Sequence, residues 1–205
     1  MIGAAPSTDI ASAKIALRRQ VLAARAALPA ARRAASSAAA CERFLANFGA
    51  ALAGPPRPVV SGYWPLADEL DLRPLLARLD ALGQPLALPV VIARGRPLEF
   101  RAWRPGDALV RGTMGIGQPS ASAASVTPGI VIAPLVAFDR FGDRLGHGAG
   151  YYDRTLAALR EAGTVLAIGI AFDAQEIESV PTTPSDQRLD AIVTETRALR
   201  FGDCP

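Results

Sequence analysis

The densest concentration of chemistry-bearing residues is the run Phe138-Asp139-Arg140-Phe141-Gly142-Asp143-Arg144-Leu145-Gly146-His147-Gly148-Ala149-Gly150-Tyr151-Tyr152-Asp153-Arg154. Four of the nine positions from 142 to 150 are glycine, which lets backbone N–H groups come close to a ligand. A helical pattern opens at Tyr151, and the start of a helix carries partial positive charge. This place therefore favours an anion, a phosphate above all. Arg144 can offer paired hydrogen bonds to phosphate oxygens. Asp153 has two open readings: an oxygen ligand for Mg²⁺, or an acid near the cap of an ordinary glycine-rich turn. The run has no Gly-Lys-Ser/Thr, so it is not a Walker loop. Its third glycine comes too soon for the dinucleotide fingerprint.

Three weaker signals accompany it. Lys14, the only lysine of the chain, lies one helical turn before Arg18. The pair is either two cations reaching for phosphate or part of a solvated basic face, and Arg25, on the same side of the helical wheel, is assigned to the solvated face. Tyr63-Trp64-Pro65-Leu66-Ala67-Asp68-Glu69-Leu70-Asp71 places aromatics and carboxylates between a strand and a helix. An acid here could accept hydrogen bonds from the amide and amine groups of a flat heterocycle while Tyr63 or Trp64 stacks on it. It could equally cap the helix, with Trp64 in the core. Asp186 is either a second metal-side carboxylate or a loop aspartate in an Asx-turn. His147, the sole histidine, is a loop contact or a general base.

These residues need elements to position them. Ser12 to Leu28 has helical spacing, with Ser12 as the N-cap candidate, and residues 1–11 read as a loose tail. After Pro29 an Ala-rich helix runs towards Phe48, anchored by Phe44, Leu45 and Phe48. Val59 to Trp64 reads as a strand and Asp71 to Leu82 as a helix with Pro74 in its first turn. Leu86 to Val91 is a strand interrupted by Pro89, and Leu98 to Trp103 suits a sheet edge. Arg104 to Thr127, rich in Gly, Ser and Pro, reads as a long surface excursion. Gly129 to Pro134, Val165 to Ala171 and Asp190 to Thr194 are apolar strands around a helix from Tyr151 to Glu161. Apolar strands alternating with helices predict an α/β fold: three α-β-α layers, a mostly parallel central sheet, Rossmann-like.

The chain has 205 residues, half of them hydrophobic, which suits one α/β domain over residues 1–205. The net charge of +3 permits an anionic ligand without demanding nucleic acid. Two cysteines and one histidine argue against a disulfide scaffold and a zinc centre. Cys41 reads as a small core hydrophobe and Cys204 as a tail thiol. No stretch approaches the roughly 20 apolar residues of a membrane helix, and no signal peptide is visible. The expectation is a cytoplasmic monomer that binds neither nucleic acid nor membrane.

In this order, the segments resemble the 5-formyltetrahydrofolate cyclo-ligase family. Lys14-Ile15-Ala16-Leu17-Arg18 is similar to its Lys-x-x-Leu-Arg opening. Tyr63 to Asp71 resembles its strand and acidic turn, Leu98 to Trp103 and Gly115 to Pro119 its middle section, and Pro134 to Arg154 its most specific stretch. The resemblance implies ATP-dependent closure of 5-formyltetrahydrofolate to 5,10-methenyltetrahydrofolate, through a phosphorylated formyl group. It implies that Lys14, Ile15, Ala16, Leu17 and Arg18 contact ATP. The same holds for Arg144, Leu145, Gly146, His147, Gly148, Ala149, Gly150, Tyr151 and Tyr152. Lys14 and Arg144 would then be catalytic, and Mg²⁺ would lie near Asp153 and Asp186. Folate would rest on Trp64, Glu69 and the loop His147, Gly148, Ala149, Gly150 and Tyr151, with Trp103 a further candidate. His147, Ala149, Ser185 and Leu72 depart from the usual family residues. Two rivals are a sugar-phosphate or coenzyme A enzyme of related architecture and a non-catalytic nucleotide- or RNA-binding member of the same fold.

Overall fold

The structure is a computed structural model describing residues 7–66, 68–113 and 115–202. Cys204 and residues 1–6 of the expected tail lie outside the described residues. Helix α1 spans Ser7–Ala26 and α2 spans Ala30–Leu52, with Pro29 as the N-cap residue of α2. Residues 7–11 are therefore helical, not loose. Asp9 in the first turn suits the positive end of α1, a charge signal that outweighs Ser12 as the start.

The chain continues as β1 (Val60–Ser61), α3 (Arg73–Ala81), β2 (Leu86–Val90) and β3 (Glu99–Ala102). A hairpin, β4 (Leu109–Arg111) and β5 (Gly117–Pro119), precedes β6 (Ile130–Ala133). A second hairpin, β7 (Ala137–Phe138) and β8 (Arg144–Leu145), leads to α4 (Tyr151–Ala162). The last strands are β9 (Leu166–Ile170), β10 (Ala191–Val193) and β11 (Ala198–Arg200).

Seven strands form the central sheet in the order β11-β10-β9-β6-β1-β2-β3. Neighbours from β10 to β2 run parallel, and β3 and β11 close the two edges antiparallel. From β1 the chain builds outward to β2 and β3, then returns to the other side of β1 with β6. The order thus reverses between β1 and β6, and a crevice forms there beyond the carboxyl ends of both strands.

Side chains alternate across the sheet as the strand period requires. Ile130 and Ile132 join Phe44 and Phe48 of α2 and Leu75, Leu76 and Leu79 of α3 in one buried layer. Val131 and Ala133 join Leu156 of α4 on the opposite face. Helix α1 caps a third cluster, packing Val21 on Val136, Ala137, Leu145 and Val180. These are the expected three layers. Cys41 is buried among the apolar residues, in keeping with its helical position.

Several local expectations are corrected. Strand β1 is two residues long, although Gly62 beyond it still donates to the Ala87 carbonyl at 3.1 Å; a Cβ there would lie 2.7 Å from Leu76 Cδ2. Pro89 does not interrupt β2: it pairs with Phe100, past the register where β1 pairs at Ser61–Ala87, so its missing N–H leaves no ladder gap there. The excursion from Arg104 to Thr127 carries the β4–β5 hairpin, whose short strands are hidden by Gly and Pro. Strand β11, three residues long, is likewise too short to show a pattern in the sequence.

Candidate functional site

The crevice at the reversal point opens into a cavity of about 890 Å³. Its walls come from α1, the turn after β1, the β4–β5 hairpin, the loop from β8 into α4 and the Thr183–Gln187 loop. Volume of this order suits a ligand of drug size or larger.

The β7–β8 hairpin delivers the glycine-rich loop. Buried Asp139 organises its turn: one carboxylate oxygen accepts from the N–H groups of Phe141 (2.9 Å) and Asp143 (3.2 Å), the other from Val180 (2.8 Å). Arg144 follows, 5% exposed. Both of its terminal nitrogens donate to Asp153 Oδ1 at 3.0 Å, and one also donates to the Gln187 carbonyl at 3.0 Å. Its Nε is buried without a partner. Burial pulls the Arg144 pKa down, against the opposing pull of Asp153. Gly150 is the N-cap residue of α4, at φ +64°, where a side chain would be strained. No side chain caps this helix end, so its first N–H groups are available to a ligand.

Helix α1 lies across this loop. Arg18 Nε donates to the Gly146 carbonyl at 2.7 Å, and a Cβ on Gly148 would lie 3.4 Å from the guanidinium carbon. Lys14 Nζ lies 2.5 Å from Asp186 Oδ2. That oxygen also accepts from the Thr183 N–H (2.6 Å) and hydroxyl (2.9 Å). Burial pushes the Asp186 pKa up, but the bonds from Lys14 and Thr183 outweigh it and the net shift is downward. The wall from the turn after β1 holds Trp64 and Glu69. Trp64 is half-buried and stands edge-on to Trp103 at 5.8 Å. Glu69, 8% exposed, accepts from the Leu66 N–H at 2.8 Å through Oε2, and its Oε1 lies 3.6 Å from His147 Nε2.

The sequence-derived residues therefore converge, with three exceptions. Lys14, Ile15, Arg18 and every residue from Arg144 to Asp153 line the cavity, as do Trp64, Glu69 and Asp186. Ala16 and Leu17 do not: the helical period turns Leu17 into the cluster beneath α1 and leaves Ala16 exposed. Trp103 is buried behind Trp64 and does not line the cavity. Arg25 is not on a solvated face. It is 2% exposed and grips both oxygens of Asp68, at 3.2 and 3.1 Å. Asp71 accepts from the N–H of Arg73 at the start of α3. No motif in the sequence points to Thr183, which fixes Asp186, nor to Gly112 of the hairpin wall; Tyr152, expected at the site, brings a buried, unpartnered hydroxyl.

Three cations and an uncapped helix start, together with a tryptophan and a buried carboxylate from the turn after β1, suit a polyphosphate beside a flat polar heterocycle. Two carboxylates, Asp153 and Asp186, also face the cavity. Their remaining oxygens, Asp153 Oδ2 and Asp186 Oδ1, accept no hydrogen bond among the described residues. No cluster of three or more metal-ligating side chains occurs among the described residues. A pair of carboxylates fits Mg²⁺, which takes one or two protein oxygens and completes its shell with phosphate and water.

Known proteins resemble this chain in sequence and fold. The sequence profile of the 5-formyltetrahydrofolate cyclo-ligase family matches residues 10–195. The 5-formyltetrahydrofolate cyclo-ligase of Escherichia coli (strain K12) is 37% identical over 139 residues, covering 65% of this chain and 75% of that one. Its counterpart in Mycolicibacterium smegmatis is 34% identical over 148 residues, covering 68% and 75%. The solved structure of Aquifex aeolicus 5,10-methenyltetrahydrofolate synthetase superposes with a TM-score of 0.77 at 29% identity, over 94% of each chain. The synthetase from Mycoplasma pneumoniae, at 24% identity and a TM-score of 0.70, shares the fold over 89% of this chain and 98% of that one.

Proposed function

This chain belongs to the 5-formyltetrahydrofolate cyclo-ligase family, and on that premise we propose that it closes 5-formyltetrahydrofolate to 5,10-methenyltetrahydrofolate with conversion of ATP to ADP and phosphate, acting as a cytoplasmic monomer. The observation that carries the proposal is the convergence of Lys14, Arg18 and the Arg144–Tyr152 loop on one cavity that Trp64 and Glu69 also line.

The substrate explains the demand for such a site. Its N5-formyl group is an amide, and its carbon is a poor electrophile until the oxygen becomes a leaving group. The formyl oxygen takes the γ-phosphoryl group, giving a phosphorylated imidate and ADP. N10 then bonds to the formyl carbon as the C–O bond breaks and phosphate departs. No enzyme nucleophile is needed, so the work of the protein is positioning and charge stabilisation. Lys14, Arg18 and Arg144 hold phosphate oxygens together with the N–H groups at the start of α4. Glu69 accepts from the pterin amide and amine groups, and Trp64 stacks on the ring. Asp153 and Asp186 would hold Mg²⁺, which when bound would supply positive charge to neutralise phosphate oxygens.

The test mixes the protein with Mg·ATP and 5-formyltetrahydrofolate and follows absorbance in the near ultraviolet. The methenyl chromophore is expected to rise with one ADP formed per product. Folded protein that yields no chromophore would contradict the proposal.

A further inference from the structure

Ring closure has a proton to dispose of. N10 carries hydrogen in the substrate and none in the methenyl product, so an acceptor must stand where N10 meets the formyl carbon. In the proposed reaction, on which this inference rests, that carbon lies at the seam between the two walls. Its oxygen faces the phosphate loop, and its ring system faces Trp64 and Glu69.

One side chain bridges this seam. His147 sits on the phosphate loop, between Gly146, whose carbonyl Arg18 holds at 2.7 Å, and Gly148, which packs on the same guanidinium. Its imidazole reaches the folate wall, with Nε2 3.6 Å from Glu69 Oε1. Each carboxylate of the cavity has one oxygen engaged, and the free oxygens of Asp186 and Asp153 are those proposed for Mg²⁺. Asp186 is bound by Lys14 and Thr183, Asp153 by Arg144 and the Gln187 N–H, and Glu69 Oε2 by the Leu66 N–H. Tyr152 is buried, and its hydroxyl holds its proton far more tightly than a free phenol.

We infer that His147 is the base that receives the N10 proton as the ring closes, and that Glu69 stabilises the imidazolium it becomes. The new C–N10 bond forms, the C–O bond to the departing phosphate breaks with its electron pair, and the proton passes to Nδ1 while Nε2–H faces Glu69. Phosphate or solvent later removes the proton. The electrostatic setting agrees. Burial holds His147 below its ordinary value of 6.5, so the ring is neutral and able to accept near pH 7. Glu69 and Asp68 favour the charged form, and Arg25 and Arg18 oppose it.

Rapid-quench measurement of ADP alongside stopped-flow detection of the methenyl chromophore tests the assignment. In His147→Gln, ADP is expected to form in a burst of about one equivalent per site, with closure slowed roughly 100-fold or more, the scale of general-base catalysis. Wild-type closure should fall as the pH drops through the lowered value of His147, beneath the ordinary 6.5, and that limb should vanish in His147→Gln. Glu69→Gln, assayed at saturating folate, should keep the limb but move it to lower pH. Imidazole in the buffer should speed closure by His147→Ala. Equal slowing of ADP formation and closure in His147→Gln, or a surviving acid limb, would overturn the assignment and leave His147 a loop contact. If wild-type protein formed neither ADP nor chromophore, the parent function would fail and this role with it.

Discussion

Lys14 is the residue on which the phosphate wall is most exposed to test. In the structure its ammonium is engaged by Asp186, so its proposed transfer to a phosphate oxygen exchanges one charge-assisted bond for another. Removing it in Lys14→Ala should cost about 1.5–3 kcal/mol of nucleotide binding, a typical value for bonds to charged groups. The Michaelis constant for ATP should rise roughly 10- to 100-fold while that for folate changes little. Steady-state kinetics with either substrate varied checks this; an unchanged ATP dependence would remove Lys14 from the site. Legibility at this scale follows rarity. A sole lysine, a sole histidine and clustered glycines stand out in the sequence. Thr183, one of several ordinary loop threonines, does not, because its role comes only from the distance to Asp186.

Helix α1 shows why elements are harder to read than motifs. Its apolar and cationic stripes are visible in the sequence, but there Arg25 looks like one more surface cation. Only the packed helix reveals that Arg25 is enclosed and clamps Asp68 beside Glu69. Arg25→Met should destabilise the fold by about 1–3 kcal/mol, the cost of orphaning bonded polar groups, and loosen the folate wall. Thermal unfolding is expected to show a lower Tm, and a change within error would return Arg25 to the surface role. Strand β9 offers a second check. A Cβ on Gly169 would lie 2.6 Å from Leu189 Cδ1 and 2.7 Å from Leu135 Cδ2. Gly169→Ala should therefore cost about 1–3 kcal/mol through overpacking, read as a shift in denaturation midpoint. The long buried strands are legible because their apolar runs are unambiguous. The β4–β5 hairpin and β11 are not, since their three residues, unlike the wholly buried apolar three of β10, form no apolar run to detect.

For the whole molecule, the reversal of strand order between β1 and β6 gathers segments far apart in sequence into one crevice, and its acid response should follow from the groups held there. His147 has a lowered folded pKa, so the unfolded chain binds the extra proton more readily; its contribution to stability is lost as pH falls from about 6.5 through that lower value. Asp186 and Asp71 have depressed pKa values from their cationic and N–H partners. Their contribution is complete above the ordinary aspartate value of 3.8 and lost as pH falls through the folded ones. Melting temperature should accordingly decline in two stages on acidification, and His147→Gln should abolish the first. The alternation of strand and helix in the sequence already implies three layers, but not which wall each motif would occupy. A crystal structure with a non-hydrolysable ATP analogue, Mg²⁺ and 5-formyltetrahydrofolate would test that assignment of walls most directly. The γ-phosphate is expected against Lys14 and the N–H groups from Gly146 to Tyr151, with the formyl oxygen facing its phosphorus and the pterin on Trp64 and Glu69. A triphosphate lodged elsewhere, with Lys14 still bound to Asp186, would contradict the account.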